Sequence, residues 1–190
     1  MLQPLHEPEY IMTEWVVLVV RVPSEPARHR IAVWRELRKA GAIQLSAGTW
    51  ALPDVPAVRD VVTRVQELAQ KAAGDLLRLR STGLEAADAQ TLLARYRSAR
   101  GEEWQEFLAD CDKYLAELVS EHTKEKYTLA ELEEEEQSLD RLRRWYREIR
   151  GRDLQRSGGV EEADQKLKEC SARFDEYAET VYQRLGDPSP

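Results

Sequence analysis

Cysteine, histidine, methionine and phenylalanine are all scarce in this chain: two, three, two and two among 190 residues. Cys111 and Cys170 have no cysteine or histidine at ligand spacing, and His6, His29 and His122 stand in unrelated contexts, so no zinc-type site is expected. Both cysteines fall on apolar seams of helical pattern, where buried, reduced thiols are expected rather than a disulfide. Long hydrophobic runs are missing too. The longest, Trp15–Val20, is six residues, far short of the ~20 that cross a bilayer. Residues 1–14 hold His6, three glutamates and two prolines, without a basic head or an apolar signal core, so no secretory leader is expected. There is no Gly-x-Ser-x-Gly elbow and no Gly-x-Gly-x-x-Gly phosphate loop. Nor is there a Glu-x-x-His pair of the kind that builds carboxylate-bridged metal sites in helical bundles. These absences exclude the commonest hydrolytic, dinucleotide and di-metal chemistries. No catalytic residue, no metal and no cofactor is expected.

Charge is abundant instead. Asp, Glu, Lys and Arg make up 33% of the chain, the mean hydropathy is −0.61 and the net charge is −7, a profile of long exposed helices on a soluble, cytoplasmic protein. The charge is unevenly spread. Residues 1–83 carry 11 basic and 9 acidic side chains, a balance of +2; residues 84–190 carry 17 and 26, a balance of −9. Between 21 and 39 stand Arg21, Arg28, Arg30, Arg35, Arg38 and Lys39 against only Glu25 and Glu36. A basic patch on an acidic protein attracts a polyanion locally while the remainder repels it.

Hydrophobic periodicity divides the chain into a tail over 1–14, an α+β domain over 15–83, a helical bundle over 84–186 and a tail over 187–190. Trp15–Val22 reads as a central strand stopped by Pro23, with Ser24 as N-cap and Pro26 in the first turn of a helix. That helix ends at Gly41, and Ile31, Trp34 and Leu37 form its expected buried stripe. Ala42–Leu45 and Thr49–Leu52 flank a Ser46-Ala47-Gly48 turn. A helix bearing Val58, Val61, Val62, Val65, Leu68 and Ala69 follows, then a strand at Leu76–Leu79. The order β-α-β-β-α-β predicts a ferredoxin-like unit. Beyond it, Leu84–Ala99 reads as one helix, interrupted at Gly101. Trp104, Leu108, Cys111, Leu115 and Leu118 form a heptad seam on the next. Thr128-Leu129-Ala130-Glu131 is a capping box, with Tyr127 and Leu132 as its hydrophobic staple. Glu133–Glu136 read as a solvated helix face favoured by the helix dipole. After a Ser157-Gly158-Gly159 linker, Val160, Ala163, Leu167, Cys170, Phe174, Tyr177 and Val181 mark the last helix, completing a bundle within one subunit or across a dimer.

Three segments carry a resemblance. Arg21-Val22-Pro23-Ser24-Glu25-Pro26 is followed by Arg30-Ile31-Ala32-Val33-Trp34-Arg35-Glu36-Leu37 and Gly41-Ala42. Further on come Tyr127–Glu134 and Leu142-Arg143-Arg144-Trp145 with Ile149–Asp153. In this order they resemble the N-terminal domain of the chromate-resistance regulator family ChrB, over roughly residues 15–185. The C-terminal chromate-resistance domain of longer members lies outside the resemblance. It implies a regulator acting at DNA, with chromate or another oxyanion as effector and a homodimer as the working form. On the residues themselves, Arg21, Ser24, Arg28, Arg30, Arg35, Arg38 and Lys39 are the candidate nucleic-acid or oxyanion contacts, with backbone N–H groups at the helix start adding to them. The competing reading pairs these arginines with Glu25, Glu36 and an acidic bundle helix as a purely structural clamp. The chain would then be an accessory module that binds a partner protein through its helices. Trp34 and Trp50 are expected in the core. The order of elements is also similar to that of the small CRISPR adaptation nuclease, but Arg21 stands where that enzyme needs an acidic residue.

Overall fold

The structure, a computed structural model, describes residues 14–186; the terminal segments, with His6 and Met12, lie outside the described residues. The order of elements is β1 (Trp15–Arg21), α1 (Ala27–Lys39), β2 (Ile43–Ser46), β3 (Thr49–Pro53), α2 (Val58–Lys71), β4 (Asp75–Ser81), α3 (Ala86–Thr123), α4 (Leu129–Arg152) and α5 (Val160–Gly186). Contacts divide the chain into two compact units, 1–96 and 97–190. The architecture is α+β, with one antiparallel four-stranded sheet and five helices.

The strands of the first unit lie in the order β2-β3-β1-β4. The apolar run of β1 is therefore interior, hydrogen-bonded to β3 on one side and β4 on the other. Register sets which residues share a face. Leu18 lies opposite Trp50 and Arg78, and Val16 opposite Leu52 and Arg80. Leu18, Trp50 and Leu52 are buried, as are Val33 and Leu37 of α1 and Val58, Val61, Val65 and Ala69 of α2. The α2 stripe follows the period expected of an amphipathic helix. On the opposite face Trp15 is buried edge-on against Tyr96, ring centroids 5.7 Å apart.

Two expectations about α1 need correction. Pro26, not Ser24, occupies the N-cap position, and no side chain caps the helix. The buried stripe is Val33 and Leu37, whereas Ile31 and Trp34 are 45% and 48% exposed. Two apolar stripes compete on this helix, and the sheet accepts the one whose i, i+4 pair points straight down. Trp50, by contrast, is buried as expected.

Glycine is required where β1 is approached closely. Gly48 has φ +74°, and its carbonyl accepts from Val20 N–H at 2.7 Å. At Gly74 a Cβ would lie 2.3 Å from the Arg21 carbonyl oxygen and 3.2 Å from Val22 Cα, both backbone atoms. Gly74→Ala must push the turn away from the strand, at a cost of about 2 kcal/mol typical of overpacking. A lowered urea midpoint with unchanged slope is the expected readout.

In the second unit, Trp104, Phe107, Cys111, Tyr114 and Leu118 of α3 are the buried positions; Leu108 and Leu115, assigned to the seam from sequence, are half-buried beside it. The two registers differ by one residue at alternate positions, and the aromatic choice buries more surface. Gly101 does not interrupt the helix: α3 runs through it, and a Cβ there would meet nothing within 4 Å. A lone exposed glycine costs a helix about 1 kcal/mol, too little to end one of this length. Thr128 caps α4 as expected, its hydroxyl accepting from Glu131 N–H at 3.2 Å. On α5, Ala163, Cys170, Tyr177 and Val181 are buried, with Val160, Leu167 and Phe174 packed beside them. Cys111 and Cys170 are free and buried, the Cys170 thiol donating to the Cys111 carbonyl at 3.8 Å.

The glutamate run departs from expectation at one position. Glu135 is 3% exposed, and its Oε2 has no hydrogen-bond partner. Tyr114 donates to its backbone carbonyl, while Glu117 and Glu121 of α3 and Glu131 and Glu134 of α4 surround its carboxyl electrostatically. Burial first, and these acidic neighbours second, push Glu135 up to about 7.

Candidate nucleic-acid and ligand-binding surface

All seven residues singled out from sequence are exposed, and the fold sorts them into four places. At 3.6 residues per turn, Arg28 and Arg35 share the outward face of α1, about 10 Å apart along the axis, with Lys39 one turn further on. Arg38 lies on the flank with its guanidinium 5.7 Å from the centre of the Trp34 ring, a cation–π contact on the surface. Arg21 closes β1 opposite Asp75 of β4 and, with Arg30, lines an open cleft. Ser24 sits in the loop between β1 and α1, outside that lining.

Among the described residues, none of the six basic side chains has a carboxylate within 4.0 Å. Glu36, one of the two acids offered to them by sequence, is taken by Arg64 of α2. The cations of α1 therefore face solvent. No acidic side chain occupies the first turn of α1, and Arg38 and Lys39 occupy its last, where the helix dipole favours them.

The cleft has a volume of about 820 Å³. Val20, Val22, Val33 and Trp50 supply apolar lining, Trp34 a half-exposed ring, Gln44 an amide, and Gly48 and Gly74 main-chain walls. Sequence reasoning placed Trp34 in the core and passed over Gln44 and Asp75. The readable signal was that Trp34 stands three residues from Ile31 and four from Arg30 and Arg38, on the cationic side of the helix.

Among the described residues, no three histidine, cysteine, aspartate or glutamate side chains converge as a metal site. His122 instead approaches the Tyr127 hydroxyl through Nδ1 at 3.1 Å. No helix among the described residues is long and apolar enough to cross a membrane.

Comparison with known proteins agrees with the sequence resemblance. Protein ChrB of Cupriavidus metallidurans (strain ATCC 43123 / DSM 2839 / NBRC 102507 / CH34) is 31% identical over 124 residues, covering 65% of this chain and 34% of the relative. The chain thus spans about a third of that protein's length. No solved structure matches. The family described as "Protein ChrB, N-terminal" matches residues 30–188, a stretch that begins inside α1 after Arg28, leaves out Val20, Arg21, Val22 and Pro23 of the cleft lining, and holds all three long helices. The chain belongs to the ChrB N-terminal family.

Proposed function

We propose that this chain is a chromate-resistance regulatory protein that binds DNA through the outward face of α1 and acts by binding rather than catalysis. The observation that carries the reading is the row Arg28, Arg35 and Lys39, exposed on one helix face and without a carboxylate partner among the described residues. On a chain of net charge −7 such a row directs a polyanion to one place. We read the first unit as ferredoxin-like, a reading supported by its βαββαβ order and its sheet order β2-β3-β1-β4. The protein works in the cytoplasm, with chromate or a similar oxyanion as effector.

The test is an electrophoretic shift on the upstream region of the chain's own operon, repeated across salt concentrations. Affinity should fall with a log–log slope of about −0.9 for each phosphate neutralised, so three contacts give about −2.7. A shift insensitive to salt, or none at low salt, would defeat the reading. It would favour the accessory-module alternative, for which exposed Val119, Leu129, Tyr182 and Leu185 of the second unit are the candidate surface.

We further propose a homodimer. Its motive is the apolar sheet surface around Leu77 and Leu79, which are 52% and 47% exposed on β4, a strand paired on one side only. Unpaired edges and apolar patches of this kind are ordinarily covered. Light scattering should give about twice 21.9 kDa; a mass of one chain at high concentration would refute the pairing.

A further inference from the structure

We infer that the cleft beside β1 is a ligand site for a planar aromatic carboxylate. Its volume of about 820 Å³ lies within the range of small-molecule sites, about 300–1,000 Å³, and far exceeds what a bare tetrahedral oxyanion fills. The lining is apolar over most of its extent, with few charges. Val20, Val22 and Val33 offer a surface for a hydrocarbon body. Trp34, half-exposed at the rim, offers a ring for stacking, and the buried Trp50 adds apolar wall.

The charges determine the class of anion. Arg21 and Arg30 line the cleft, and neither has a carboxylate within 4.0 Å among the described residues. A guanidinium binds a carboxylate through two parallel hydrogen bonds, so either arginine can take a carboxylate group whole. Among the described residues of the lining Asp75 is the one carboxylate, which leaves them with a net charge of +1. That balance suits a single negative charge and disfavours a polyphosphate or a strand of nucleic acid, which needs an uninterrupted cationic track. The walls are built for the purpose of holding shape: at Gly48 and Gly74 the main chain presses against β1 so closely that a Cβ would collide with the Val20 and Arg21 carbonyls. Rigid main-chain walls make a pre-formed site, which binds without the entropic cost of ordering loops.

The site is independent of the DNA-binding face, because neither Arg28, Arg35 nor Lys39 lines it. The probe is 2-naphthoate, added to the full chain and followed by calorimetry and by amide spectra. Saturable binding is expected, with the amide signals of Gly48 and Gly74 among those that shift. The neutral analogue 2-naphthamide should bind about tenfold more weakly, and inorganic phosphate should not saturate. Arg30→Ala and Trp34→Ala should each weaken 2-naphthoate about tenfold, equivalent to about 1.4 kcal/mol. Both residues are exposed enough for the variants to fold, which circular dichroism checks. Arg28→Ala should leave the affinity unchanged. The inference is overturned if 2-naphthoate fails to saturate at millimolar concentration, if the Gly48 and Gly74 signals stay still, or if Arg28→Ala weakens binding as much as Arg30→Ala. Equal affinity for naphthoate and naphthamide would also overturn it, since the arginines would then have no part.

Discussion

Replacing both Arg28 and Arg35 by glutamate is expected to abolish DNA binding while leaving thermal unfolding almost unmoved. Each side chain stands on the outward face of α1 with no carboxylate partner among the described residues. Reversal therefore removes two attractive charges and installs two repulsive ones where a phosphate backbone would pass. Exposed substitutions away from caps and ion pairs cost less than about 0.5 kcal/mol. Stability is thus the control. If the double variant unfolds several kcal/mol earlier and still binds DNA, the arginines serve as a structural clamp. An intact shift with intact stability would place the DNA contact elsewhere.

The second large effect is expected from pH. Glu135 is buried among other carboxylates, and its folded-state value is raised from 4.5 to about 7. A raised acid binds its proton more tightly folded than unfolded, so its contribution is fully present below about 4.5 and is lost as pH rises through about 7. The difference corresponds to about 3 kcal/mol of stability lost between pH 4.5 and pH 8. Glu121, near it on α3, acts in the other direction and in a lower window. Burial pushes Glu121 up, but hydrogen bonds from Lys124 and Lys126 outweigh it and hold the carboxylate below its ordinary range. Its stabilising effect is present above 4.5 and disappears in acid. Glu135→Gln removes the titration and keeps the shape. Urea unfolding at pH 8 should show the variant more stable than the parent by up to about 3 kcal/mol, and the gap should close toward pH 5. A gap that stays constant with pH would mean that Glu135 does not carry the effect.

Some of this could be read from the chain and some could not. The Trp15–Val22 run marked β1 as an interior strand because its six successive apolar side chains, Trp15 to Val20, need cover on at least one face. Thr128 marked a helix start because an N-cap hydroxyl three residues before Glu131 is a local arrangement, complete within four residues. The turn at Gly48 was legible for the same reason. Where two local solutions were nearly equal, the chain did not decide. Ile31-Trp34 and Val33-Leu37 are both apolar stripes, and only the sheet beneath α1 shows which is buried. Leu108-Leu115 and Phe107-Tyr114 posed the same choice on α3. Glu135 was invisible, since one glutamate among four adjacent ones differs from its neighbours only in which way the helix turns it.

For the candidate surface the division is similar. The sequence by itself determined that cations concentrate between Arg21 and Lys39, that metal and nucleophile constellations are missing, and that the segments resembling the ChrB family occur in order. Only the tertiary structure decided that those cations stand in separate places. Helical geometry turns Arg28, Arg35 and Lys39 outward. Strand pairing brings Arg21 and Asp75 to the same edge of a cleft that Arg30, Trp34, Gln44 and Trp50 complete. Residues far apart in the chain meet there because antiparallel register and close glycine contacts bring their backbones together, and no spacing along the sequence records that distance.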